Sequence, residues 1–131
     1  MIKRVVAERG GRKAVAMDSI SRVDAGDAGH IVVSGSHGGV SAAEYAAPCK
    51  LAAAFFNDAG VGKDEAGIAA LAMLERAQVP AAAVSHLSAR IGDAEDMWRH
   101  GVLSHVNPSA ARRGLKPGQR LQDAVNKLLS T

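Results

Sequence analysis

Four short apolar runs, residues 30–34, 51–56, 81–84 and 102–106, recur along the chain, each followed by a loop rich in Gly, Asn, Asp or Ser. Runs this short, with helical segments between most of them, read as buried strands rather than helices. Strands joined in this way lie parallel, because a parallel pair needs a crossover long enough to return the chain to its starting edge. The pattern therefore predicts an α/β fold: a mostly parallel sheet with crossover helices, in one domain over residues 1–131.

The two ends of the chain add an N-terminal β-hairpin and a C-terminal docking helix. Residues 2–9 and 12–18 have strand character on either side of Gly10-Gly11, a pair suited to the positive φ of a two-residue turn. Residues 19–29 read as a surface connection with one helical turn. A helix is expected over 41–47, stopped by Pro48, and the clearest helix of the first two thirds over 63–78. The latter has Asp64 and Glu65 in its first turn and Ile68, Leu71, Ala72 and Leu74 on its apolar face. Asp93 caps a short helix that continues through Trp98 and Arg99 and ends at Gly101. After the Pro117-Gly118 turn, Leu121, Ala124, Val125, Leu128 and Leu129 follow the spacing of an amphipathic helix docked on a core.

Composition narrows the partners. Hydrophobic residues make up 47% of the 131, but alanine dominates them and only 3% of the chain is aromatic, so layers can approach closely. The formal charge of +3 comes from basic residues scattered among acids. A nucleic-acid surface would cluster them, and the densest stretch, Arg112, Arg113, Lys116 and Arg120, reads as a solvated helix face. A single cysteine, Cys49, fits a reducing, cytoplasmic setting. No run approaches the length of a membrane span, and the start of the chain lacks the apolar core of a signal peptide.

Ligands of open parallel sheets bind beyond the carboxyl ends of the strands, and the polar residues fall there. Ser36-His37, Ser85-His86 and Ser104-His105 each stand at the end of an expected strand. The first loop, Ser34-Gly35-Ser36-His37-Gly38-Gly39, either holds an anion on its backbone N–H groups or is only a tight strand-to-helix turn. In the second loop, Gly62-Lys63 ends like a P-loop, but Asn57 occupies the first glycine position and Asp64 replaces the required Ser or Thr. That leaves Asp58 to orient a proton-transfer partner and Lys63 to neutralise an anion, against a turn residue and a solvated charge. In the third, His86, Ser88 and Arg90 precede Gly92-Asp93. Arg90 either grips a phosphate or carboxylate with its planar fork or pairs with Asp93, Glu95 or Asp96. Three histidines from three strand ends would also suit zinc, although no local metal motif is present.

The stretches Phe56-Asn57-Asp58-Ala59-Gly60-Val61-Gly62-Lys63-Asp64-Glu65-Ala66-Gly67-Ile68 and Ser88-Ala89-Arg90-Ile91-Gly92-Asp93 are similar to small uncharacterised bacterial α/β proteins of unknown function. That resemblance implies no activity. The residues themselves point to a small-molecule enzyme, a hydrolase, lyase or isomerase without a nucleotide cofactor or resident metal, acting on a compact anionic metabolite. His37, Asp58, His86 and His105 would move protons; Ser36, Gly38, Gly39, Lys63, Ser88 and Arg90 would bind the substrate. The alternative is a non-catalytic ligand-binding or assembly subunit. A chain with few large side chains to close a pocket alone is also expected to form a homo-oligomer.

Overall fold

A computed structural model describes residues 2–131. The hairpin forms as expected: β1 (Lys3–Arg9) turns through Gly10 and Gly11, at φ +58° and +83°, into antiparallel β2 (Arg12–Met17). Next come β3 (Ile31–His37), β4 (Ala53–Asn57) and β5 (Ala81–Val84), each parallel to the strand before it. The last strand, β6 (Leu103–Val106), runs antiparallel to β5, and the sheet order is the sequence order throughout.

Helices cover both faces. The helix after β3, α1 (Val40–Ala46), and the one after β4, α2 (Ala69–Arg76), share one core with Val15, Met17, Val32 and Phe56. Right-handed crossovers that step in one direction along a sheet fall on one face, so these two helices come to lie side by side. The opposite face carries α3 (Ala94–His100), which follows β5, and the closing α5 (Leu121–Leu129), packed on Ile31, Val33, Phe55 and Val84. Val32 and Val33, like Phe55 and Phe56, point to opposite cores because strand side chains alternate. All five apolar positions expected for the closing helix are buried.

The structure departs from the sequence pattern in three places. Residues 63–68 are not the first turns of a long helix: they form irregular 3₁₀ turns in which Asp64 and Glu65 have φ of +56° and +58°, and the helix begins only at Ala69. Its buried face is Ala70, Leu71 and Leu74, while Ala72 is exposed. Tertiary contacts override the helix signal here, since the Ala70 N–H is bound to the Gly38 carbonyl and Gly67 to that of Val61. Asn107 and Pro108 start a short helix, α4 (Pro108–Arg112), by capping and by the tolerance of Pro for a first helical position. Finally, because β6 is antiparallel, Ser104 and His105 lie near the start of their strand and still reach the carboxyl ends of β4 and β5. None of the described helices is long and apolar enough to cross a membrane.

Candidate functional site

The chain leaves β4 toward the α1–α2 face and β5 toward the α3–α5 face. Connections that part in this way from neighbouring strands open a crevice at their carboxyl ends. Asp58, one residue beyond β4, sits in that crevice with its backbone N–H on the Val84 carbonyl, and it is 4% exposed. Its Oδ1 accepts hydrogen bonds from the backbone N–H groups of Gly60 (2.9 Å) and His86 (3.1 Å) and lies 3.0 Å from His86 Nδ1. Its Oδ2 accepts from the Ser104 hydroxyl at 2.7 Å. Burial pushes this carboxyl up, but the bonds from Ser104, Gly60 and His86 outweigh it and hold Asp58 below the usual aspartate value.

An ionised carboxylate only accepts, so His86 Nδ1 carries a proton toward Asp58 and neutral His86 presents its Nε2 lone pair on the other side of a half-exposed ring. The same deduction extends one step further. Ser104 has one hydroxyl hydrogen and gives it to Asp58, so the contact of 3.0 Å between its Oγ and His105 Nδ1 requires Nδ1–H to donate. One carboxylate thus sets the tautomer of two histidines. Neighbouring residues on a regular strand face opposite ways, but Ala83 pairs with His105 and Val84 with Leu103, which makes Ser104 the extra residue of an irregularity.

The loop that carries Asp58 is tightly constrained. Asn57, fully buried, accepts from the Ala59 N–H and donates to the Ala89 carbonyl, tying the loops after β4 and β5 together. Ala59, Val61, Asp64 and Glu65 all have φ between +53° and +64°. A β-branched residue at positive φ is a strained conformation that surrounding structure must impose. Asn57 and Ser104 join the candidate residues on geometry: the sequence signals are an Asn-Asp pair at a strand end and the recurring Ser-His pair, neither of which specifies what the two side chains hold.

The other candidate residues lie as follows. Ser36 Oγ accepts from the Ile20 N–H, and its own N–H donates to Ser34, so it braces the β2–β3 connection. The Gly38 N–H is taken by the Asn57 carbonyl, and a Cβ on Gly38 would collide with the backbone carbonyl of Gly67, so close packing accounts for that glycine; a Cβ on Gly39 would crowd only the exposed His37 ring. His37 is exposed, with no hydrogen bond to Asp58, His86 or His105, and Lys63 is exposed. Ser88 Oγ donates to the Ser85 carbonyl and accepts from the Val102 N–H. Among the described residues no three His, Cys, Asp or Glu side chains gather to hold a metal ion.

Arg90 is held by its backbone N–H on Asp96, while its exposed guanidinium stands 3.8 Å from Asp93. That is the geometry of a surface ion pair, which contributes little to stability. Arg90→Lys is expected to change unfolding free energy by no more than about 0.5 kcal/mol in urea denaturation. A loss well beyond that would show a role the exposed pair does not explain.

No known family model, curated protein or solved structure matches this chain.

Proposed function

We propose that this protein is a small-molecule enzyme acting on a compact anionic metabolite by acid–base or hydrolytic chemistry, without a nucleotide cofactor. The reading rests on the buried Asp58 carboxylate shared by His86 directly and by His105 through Ser104. His86 Nε2 takes a proton from the substrate or from an attacking water, and Asp58 orients the ring and stabilises the imidazolium that forms. His105 is the second imidazole, able to give a proton to a leaving group when its Nε2 is also protonated. Hydrolases, lyases and isomerases all need such an exchange. Strain concentrated in the loop beside Asp58 supports a site rather than a simple turn, and the net charge of +3 favours an anionic substrate.

A non-catalytic ligand-binding or assembly subunit is the second reading, favoured by apolar side chains exposed near His86, namely Leu87 at 87% and Ile91 at 51%. The same surface would suit a homo-oligomer in a reducing, cytoplasmic compartment, which sedimentation at micromolar concentration would read.

A metabolite screen by thermal shift, followed by turnover assays on the hits, tests the enzyme reading. His86→Gln is expected to keep the ligand-induced shift in Tm and to lose turnover by about 100-fold or more. A ligand that stabilises both proteins but is not turned over by the native chain would establish the second reading instead.

A further inference from the structure

Two grooves meet along one flank of the molecule. The first, about 690 Å³, runs between α2 and the β6–α4 segment; Ile68, Leu71, Ala72, Val106 and Pro108 make its walls apolar, and His105 lines it. The second, about 510 Å³, is polar and is lined by Arg76, Arg112 and Arg113 with Gln78, Pro80 and Ser109. Glu75 and Arg76 line both, so the two are contiguous. Each volume is within the range of small-molecule sites.

Charge is distributed unevenly along this flank. Glu75, the carboxylate in the polar groove, is engaged: it accepts from the Ser109 N–H (2.8 Å) and hydroxyl (2.9 Å) and from Arg112 (3.3 Å). Arg76 and Arg113 meet no carboxylate within ion-pair distance among the described residues. Cations at helix C-termini are common because they offset the helix dipole, but that does not account for Arg76 at the end of α2 and Arg113 just past α4 lining one groove. At the other end of α2, Asp64 and Glu65 line the apolar groove and disfavour an anion there.

We infer that this flank binds a small molecule with an apolar body and one terminal oxyanion, a phosphate or a carboxylate. Arg76 and Arg113 hold the oxyanion with the planar, two-toothed geometry that guanidinium offers. The apolar body lies along Leu71 and Val106, which brings the ligand to His105 and so to the imidazole coupled through Ser104 to Asp58. This deepens the enzyme reading and rests on it for the chemistry at His105; the binding itself rests on the groove and its arginines. It also relocates the anion contact from Lys63 and Arg90 to two arginines that line one groove.

NMR titration of the full chain with phenylphosphonate, benzoate and benzyl alcohol at low salt tests the site. The two anions are expected to give saturable shifts at Leu71, Val106 and the His105 ring and to bind about tenfold more tightly than the alcohol. The double variant Arg76→Gln/Arg113→Gln, at exposed positions, should weaken both anions about tenfold and leave the alcohol unchanged. Lys63→Gln/Arg90→Gln should leave all three unchanged. Equal affinity for the alcohol, insensitivity to the arginine pair, or the absence of saturable shifts with either anion would overturn the site. Turnover that is lost in His86→Gln but has an unchanged KM in the arginine variant would also overturn it, while leaving the enzyme reading intact. Anion binding as described, with no turnover of any hit, would uphold the site and remove the enzyme.

Discussion

Asp58→Ala is expected to lower the unfolding free energy by about 2–4 kcal/mol and to abolish any activity that depends on His86. The substitution leaves the N–H groups of Gly60 and His86, the half-exposed His86 ring and the half-buried Ser104 hydroxyl without their shared acceptor. Asp58→Asn keeps the shape but can no longer accept from both His86 Nδ1 and Ser104, so a smaller loss of about 1–3 kcal/mol is expected. The two proteins should also differ with pH. Asp58 in the folded chain is held below its ordinary value, because its hydrogen bonds outweigh the burial that pushes it up. A depressed carboxyl contributes stability above the unfolded value near pH ~4 and loses that contribution as pH falls through the folded value. Urea denaturation across the acid range should therefore show the native chain losing stability more steeply than Asp58→Asn. Parallel profiles would show that the carboxylate contributes no charge-dependent stability.

The second large effect is expected at Gly67. A Cβ there would lie 2.0 Å from the Asp58 carbonyl oxygen and 3.0 Å from that of Val61, both backbone atoms with no rotamer to relieve the contact. Gly67 does not have positive φ, so the objection to a side chain is steric alone. Gly67→Ala should cost about 3 kcal/mol and shift Asp58 relative to His86, with a loss of turnover larger than the loss of stability explains. Gly62→Ala is the control, since it has φ of +76° but nothing within 4 Å of the added carbon. It should cost about 1–3 kcal/mol, the conformational penalty of a side chain at φ +76° and ψ −172°, and leave Asp58 in place. A turnover loss in Gly67→Ala no larger than that in Gly62→Ala would show that the backbone around Asp58 yields easily and is not what holds the carboxylate.

Whatever depends on neighbours along the chain was legible in the sequence. Gly10-Gly11 specifies its turn because few other residues accept two successive positive φ angles, and the hairpin forms there. The spacing of Leu121, Ala124, Val125, Leu128 and Leu129 defines one helix face, and that face is buried. Residues 81–84 are a strand with the expected ends, because Pro80 and the polar Ser85 bound a run of apolar residues. The placement of Asp58 and His86 beyond strand ends followed from the same alternation.

Contacts between distant segments decided the rest. Asp64 and Glu65 look like the acidic first turn of a helix, but both have positive φ in a loop that the Gly67 N–H closes on the Val61 carbonyl. Three Ser-His pairs are alike in sequence; only the antiparallel return of β6 and its extra residue join Ser104 and His105 to Asp58, while His37 stays apart. Arg112 and Arg113 read as solvated charges and are exposed, but only the packing of α4 beside the end of α2 puts them on the same groove as Arg76. Local propensity acts over a few residues, whereas strand direction, crossover face and the meeting of side chains 46 positions apart, as in Ser104 and Asp58, are set by how the layers bury their apolar surfaces together.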